Sequence, residues 1–83
     1  MQETLLPRVQ RAFQRAFELE PRSITLETQP DDIPKWDSLG HATLAYSLER
    51  EFNIRFSIDE LMALENVRAI IEVVGLKLGG PAA

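Results

Sequence analysis

The sequence contains no cysteine. Disulfide frameworks, thiolate metal sites and cysteine nucleophiles are therefore excluded together. Histidine is scarce as well: His41 stands alone, so no H-x-x-x-H pair exists, and Asp31, Asp32 and Asp37 lack the spacing of an EF-hand loop. No metal ligand set is expected. Basic residues are outnumbered, nine Lys and Arg against thirteen Asp and Glu, and the net charge of −4 has the wrong sign for a nucleic-acid binder. Long hydrophobic runs are also missing. The most apolar stretch, Val67 to Leu78, is broken by Arg68, Glu72 and Lys77, far short of the ~20 apolar residues of a membrane span. Near the start, Glu3 stands where a secretion signal would place a basic flank, so the expected location is the cytoplasm.

What remains is 83 residues, 45% hydrophobic and 27% charged. That composition suits one small globular domain, which must hold together by aliphatic and aromatic packing alone.

Apolar residues at 5, 6, 9, 12, 13, 16 and 17 follow helical spacing and predict a first helix over Leu5 to Phe17, with Thr4 placed to cap it and Pro7 in its first turn. Its other face carries Arg8, Arg11 and Arg15, read as a solvated basic stripe rather than a docking surface. From Glu20 to Asp37 the periodicity vanishes and Pro21, Pro30 and Pro34 mark a long loop, with Ile24, Leu26, Ile33 and Trp36 as its anchors to the core. Asp37-Ser38 opens a second helix with Leu44, Ala45, Leu48 and Phe52 on one stripe, and Asn53 ends it. Ser57 and Glu60 have capping-box spacing for a short third helix, from which Leu61 and Leu64 face inward. Asn66 caps a fourth, with Val67, Ile70, Ile71 and Val74 inward; Gly75 either ends it or lets Leu76 and Leu78 extend it by a turn. The expected fold is all-α, a four-helix bundle of three main helices and one short one. Residues 1–78 form the domain and 79–83 a flexible C-terminal tail.

The segment Trp36-Asp37-Ser38-Leu39-Gly40-His41 concentrates the chemistry. A serine at a helix start meets unpaired backbone N–H groups and the positive end of the macrodipole, which would favour a phosphate on its oxygen. The alternative is that Asp37 or Ser38 is simply the N-cap. A hydrolase built from Ser38, Asp37 and His41 is excluded: serine and histidine on adjacent turns of one helix leave no separate oxyanion hole, and Trp36 stands where a G-x-S-x-G elbow needs glycine.

Asp37-Ser38-Leu39, followed by Leu48-Glu49-Arg50-Glu51-Phe52, Asn53-Ile54-Arg55-Phe56-Ser57 and Leu64-Glu65-Asn66-Val67, resembles the acyl carrier protein family from about Trp36 to Val74. The resemblance implies an acyl-carrier-like bundle with no catalysis of its own. In that family the serine matching Ser38 is esterified with 4′-phosphopantetheine from coenzyme A by a separate phosphopantetheinyl transferase. The thiol of that arm carries acyl, aminoacyl or polyketide groups as thioesters to acyl-activating or acyl-transfer enzymes. Asp37, Leu39, His41 and Trp36 are then the residues flanking the attachment point, and Leu39, Tyr46, Glu49 and Glu51 the partner-binding ones. A monomer is expected. The competing reading is an interaction module of the same shape that is never modified.

The departures from the family pattern are specific. Fatty-acid carriers have acids at the positions held here by Gly40, Thr43 and Arg50, so only Asp37 and Glu49, with Glu51 as neighbour, remain for electrostatic docking. Much of the negative charge instead lies before Ser38, where residues 27–37 carry a net −3. This pattern, and glycine directly after Asp-Ser-Leu, point to a specialised pathway. His41 is read as an exposed first-turn residue, with a phosphate contact as the alternative, and Trp36 as the anchor of the long loop.

Overall fold

Pro7 lies in the first turn of helix α1 (Leu6–Phe17), where a missing N–H costs least. The helix ends at Glu18, whose left-handed φ of 58° lets its N–H return to the Gln14 carbonyl at 2.8 Å. Its N-cap position is held by Leu5 without a side-chain cap, and Thr4 lies outside residues 5–79, the part of the chain that this computed structural model describes. The long connection contains two single-turn 3-10 helices, Pro21–Ser23 and Pro30–Asp32, each opened by proline. Helix α2 (Ser38–Phe52) follows, then α3 (Ile58–Met62) and α4 (Val67–Leu78). The expected all-α bundle of three main helices and a short one is the observed architecture.

Caps set the boundaries. Asn53, with φ 57°, ends α2 as expected, and the Asn66 Oδ1 accepts the Ala69 N–H at 2.7 Å to start α4. At α3 the capping box is complete: Ser57 Oγ accepts from Glu60 N at 3.1 Å, and Glu60 Oε1 accepts from Ser57 N at 2.8 Å. Of the two alternatives for α4, the extended one holds. Gly75 lies inside the helix, which continues to Leu78 and closes at Gly79, whose φ of 156° suits only glycine. The rest of the expected tail, residues 80–83, lies outside the described residues.

Val9, Phe13 and Phe17 of α1, Leu44, Leu48 and Phe52 of α2, and Val67, Ile70, Ile71 and Val74 of α4 form one buried core. Each such side chain contributes roughly 1.5–3 kcal/mol by leaving water. The loop is pinned to this core by Ile24, Ile33 and Trp36, while Leu26 is half-buried. A polar clamp at Thr28, unforeseen from sequence, adds to the pinning. Buried Thr28 accepts the Thr25 N–H on its Oγ1 at 2.9 Å, and its carbonyl accepts from Val67 N at 3.0 Å, which ties the loop to the start of α4.

The arginine stripe of α1 is not simply solvated. Arg8, Arg11 and Arg15 converge on Glu51 of α2 at 3.2, 3.1 and 3.5 Å, and the Glu51 side chain is only 8% exposed. Arg8 also donates to the Glu51 carbonyl at 2.7 Å and lies over the Phe52 ring, 4.5 Å from its centroid. Burial works against the charge on Glu51. The hydrogen bonds from Arg8 and Arg11, with the charges of Arg11 and Arg15, outweigh it and hold the carboxyl below its ordinary range. Helical spacing shows that the arginines share a face, but only the docking of α2 reveals what that face meets.

Candidate functional site

Asp37 is the N-cap of α2: its Oδ1 accepts the Gly40 N–H at 2.9 Å. Ser38 occupies the first helical position, is exposed, and its hydroxyl makes no hydrogen bond among the described residues. Of the two residues that could have capped, the acid does so and the serine is left free. With Gly40 N satisfied by Asp37, the N–H groups of Ser38 and Leu39 remain at the open end of a 15-residue helix, aligned with its positive pole. That arrangement fits a phosphodiester on Ser38 Oγ. Leu39 is 78% exposed beside it.

The neighbouring glycine has a different role from the one its position in the family pattern suggests. A Cβ on Gly40 would collide with the Lys35 carbonyl oxygen and lie 3.0 Å from Phe17 Cε1. The loop backbone passes where a side chain would stand, while Lys35 Nζ donates to the Phe17 carbonyl at 3.4 Å. Gly40 is therefore required by the approach of the loop to α2, and an acid cannot simply be restored there. Thr43, exposed and one turn further on, has no such constraint.

His41 also departs from expectation. It is half-buried, not an exposed first-turn residue. Its Nδ1 accepts from Trp36 Nε1 at 2.8 Å, which leaves Nε2 as the protonated nitrogen, and Nε2 donates to the Leu61 carbonyl at 2.9 Å. The two rings lie edge to edge, 10° apart in orientation with centroids at 6.2 Å, as an in-plane hydrogen bond requires, and Phe13 meets Trp36 edge-on at 5.1 Å. Both imidazole nitrogens are thus committed inside the fold. Trp36, 4% exposed, anchors the loop as expected.

The expected docking residues separate into two groups. Leu39 and Tyr46 are exposed, the latter with the Arg50 guanidinium 5.7 Å from its ring and donating to its hydroxyl at 3.1 Å. The acids lie closer in: Glu49 Oε2 accepts the Phe56 N–H at 2.8 Å, and Glu51 is enclosed by arginines. Two exposed apolar residues on α3 escaped the sequence reading, Ile58 at 77% and Met62 at 72%. Their signal lay in the short third helix, whose inward positions are few. Between α2 and α3 runs a cleft of about 210 Å³, lined by Ala42, Ala45, Tyr46 and Glu49 on one side and Phe56, Ser57, Ile58 and Leu61 on the other.

Residues 7–74 match the family described as the phosphopantetheine attachment site. The chain belongs to that family. It is a carrier domain, non-catalytic in itself, and its cofactor is 4′-phosphopantetheine. Among curated proteins it is 34% identical over 77 residues to the non-reducing polyketide synthase pkdA of Emericella nidulans. The aligned region covers 89% of this chain and 3% of that protein, so the likeness is to one small segment of a very large enzyme. Among the described residues of the carrier domain, no helix is long and apolar enough to cross a membrane.

Proposed function

We propose that the carrier domain holds its 4′-phosphopantetheine arm on Ser38 and delivers acyl, aminoacyl or polyketide groups to partner enzymes, in a specialised lipid, secondary-metabolite or cell-envelope pathway. The observation that carries this reading is the division of labour at the start of α2. Asp37 caps the helix, so Ser38 keeps an exposed and unengaged hydroxyl beside free N–H donors. Those donors and the helix pole stabilise the negative charge that the phosphodiester adds. The arm supplies a thiol, which this cysteine-free chain lacks, and so allows thioester attachment. Tethering raises the local concentration of cargo at each enzyme that the carrier visits.

Trp36 and His41 serve the site by holding its frame, since neither has a free polar atom to offer the arm. The proposed partner face is Leu39 and Tyr46, joined by Ile58 and Met62, with Glu49 at the cleft. It is more apolar than acidic, so association with partners should depend only weakly on salt. The resemblance to a segment of a polyketide synthase supports a polyketide-type cargo as the first to test.

Incubation with coenzyme A and a broad-specificity phosphopantetheinyl transferase, followed by intact mass measurement, tests the reading. Wild type should gain one phosphopantetheine increment and Ser38→Ala none. An unchanged wild-type mass would favour an unmodified interaction module of the same fold.

A further inference from the structure

Helix α3 is held differently from the other helices. It has five residues and none of them is buried. A helix without buried side chains belongs to the low-stability end of a structure unless polar contacts fix it. Here half-buried Leu61 packs against the core, and three polar contacts add to that hold. Glu49 of α2 accepts the Phe56 N–H at 2.8 Å just before the helix. Lys77 of α4 reaches Glu60 at 3.0 Å. His41 of α2 donates to the Leu61 carbonyl at 2.9 Å.

The third contact is the most firmly backed. His41 is pinned from behind by the indole N–H of Trp36, which is itself buried against Phe13. A rigid chain therefore runs from the core through Trp36 and His41 to the α3 backbone. Leu61, which receives its last hydrogen bond, is also a wall of the cleft between α2 and α3. On α2 that cleft begins at Ala42, one turn along from Ser38, and its exposed lips include Tyr46 and Ile58.

We propose that His41 is a positioning residue which, backed by Trp36, holds the Leu61 carbonyl and thereby sets the spacing of α3 from α2. An enzyme that addresses Ser38 while touching both lips then meets a preset surface instead of having to order α3 itself. Only this last consequence rests on the carrier reading. The latch itself is a property of the unmodified chain.

Hydrogen exchange by NMR on the unmodified protein tests the latch, and the single tryptophan gives one indole N–H signal. His41→Phe keeps a flat ring and removes both nitrogens. The amides of Leu61, Ala63 and Leu64, which close the turns of α3, should then exchange roughly tenfold faster, as expected for loss of a hydrogen bond that limits local opening. The indole N–H should lose protection as well, while α1 amides keep theirs. His41→Gln, which retains one acceptor and one donor, should preserve most of the α3 protection. Trp36→Phe, which removes the indole donor but keeps a ring in the core, should accelerate the same α3 amides by a smaller factor.

In the transferase assay, His41→Phe should raise KM for the carrier several-fold with kcat unchanged. The positioning role is overturned if α3 exchange is unaltered in His41→Phe, if α1 and α3 accelerate together, if His41→Gln behaves like His41→Phe, or if KM stays at the wild-type value. Failure of Ser38 to be modified at all would be seen separately by mass, with the exchange results intact.

Discussion

Helix α2 has two working faces built on different principles. Toward α1 it presents Leu44, Leu48 and Phe52 to a closed core, and Glu51 to three arginines. Toward α3 it presents Ala42, Ala45 and Tyr46 to an open cleft, across which His41 donates a hydrogen bond and Glu49 accepts one, beside the half-buried Phe56 and Leu61. The first face makes the helix a stable platform. The second leaves a cleft one turn along from Ser38, where α2 offers only the small side chains of Ala42 and Ala45. Both properties suit the proposed attachment at Ser38, which would be held firmly while the surface around it receives different partners.

The two faces of α2 differ most in what the core loses when it is emptied. Phe13→Ala should cost about 3–5 kcal/mol by urea denaturation, whereas Ile58→Ala should cost less than about 0.5 kcal/mol, because only the former empties a packed site. Similar losses for the two would show that the faces are not energetically distinct.

Gly40→Ala comes next, at about 3 kcal/mol or more, since the added methyl meets a backbone carbonyl that cannot turn aside as a side chain would. A near-neutral effect would show that the loop can withdraw from α2, and that the acid missing at this position reflects docking preference after all.

Glu51→Gln should cost roughly 1–2 kcal/mol at pH 7, because the arginines lose a charged acceptor. The folded pKa of Glu51 lies below its unfolded value, so its contribution is present above the unfolded value and fades as pH falls through the folded one. The difference between wild type and Glu51→Gln should therefore narrow in acid, as urea midpoints across pH 7 to 3 would reveal.

The smallest effect is a gain. Gly75→Ala, in the interior of α4 with only Leu5 Cδ1 near the new methyl at 3.7 Å, should stabilise by up to about 1 kcal/mol through helix propensity. Opposite signs at Gly40 and Gly75 in the same denaturation series would separate a glycine needed for close approach from one that is merely tolerated.

The helices and the proposed attachment point are both legible in the order of the residues. Apolar spacing located α1, α2 and α4, local cap chemistry at Asn53, Ser57, Glu60 and Asn66 marked the end of α2 and the starts of α3 and α4, and Asp37-Ser38-Leu39 marked the proposed site, because each of these signals depends on residues within a few positions of one another. Contacts between residues far apart in the chain became visible with the packing of the helices. There Arg8, Arg11 and Arg15, expected in solvent, cluster around Glu51 on another helix. The same packing gave Gly40 to the Lys35 carbonyl rather than to docking. It enclosed His41 between Trp36 and Leu61 instead of leaving it in solvent. A side chain's partner on another element is set by how the elements pack, and periodicity along the chain carries no information about that distance.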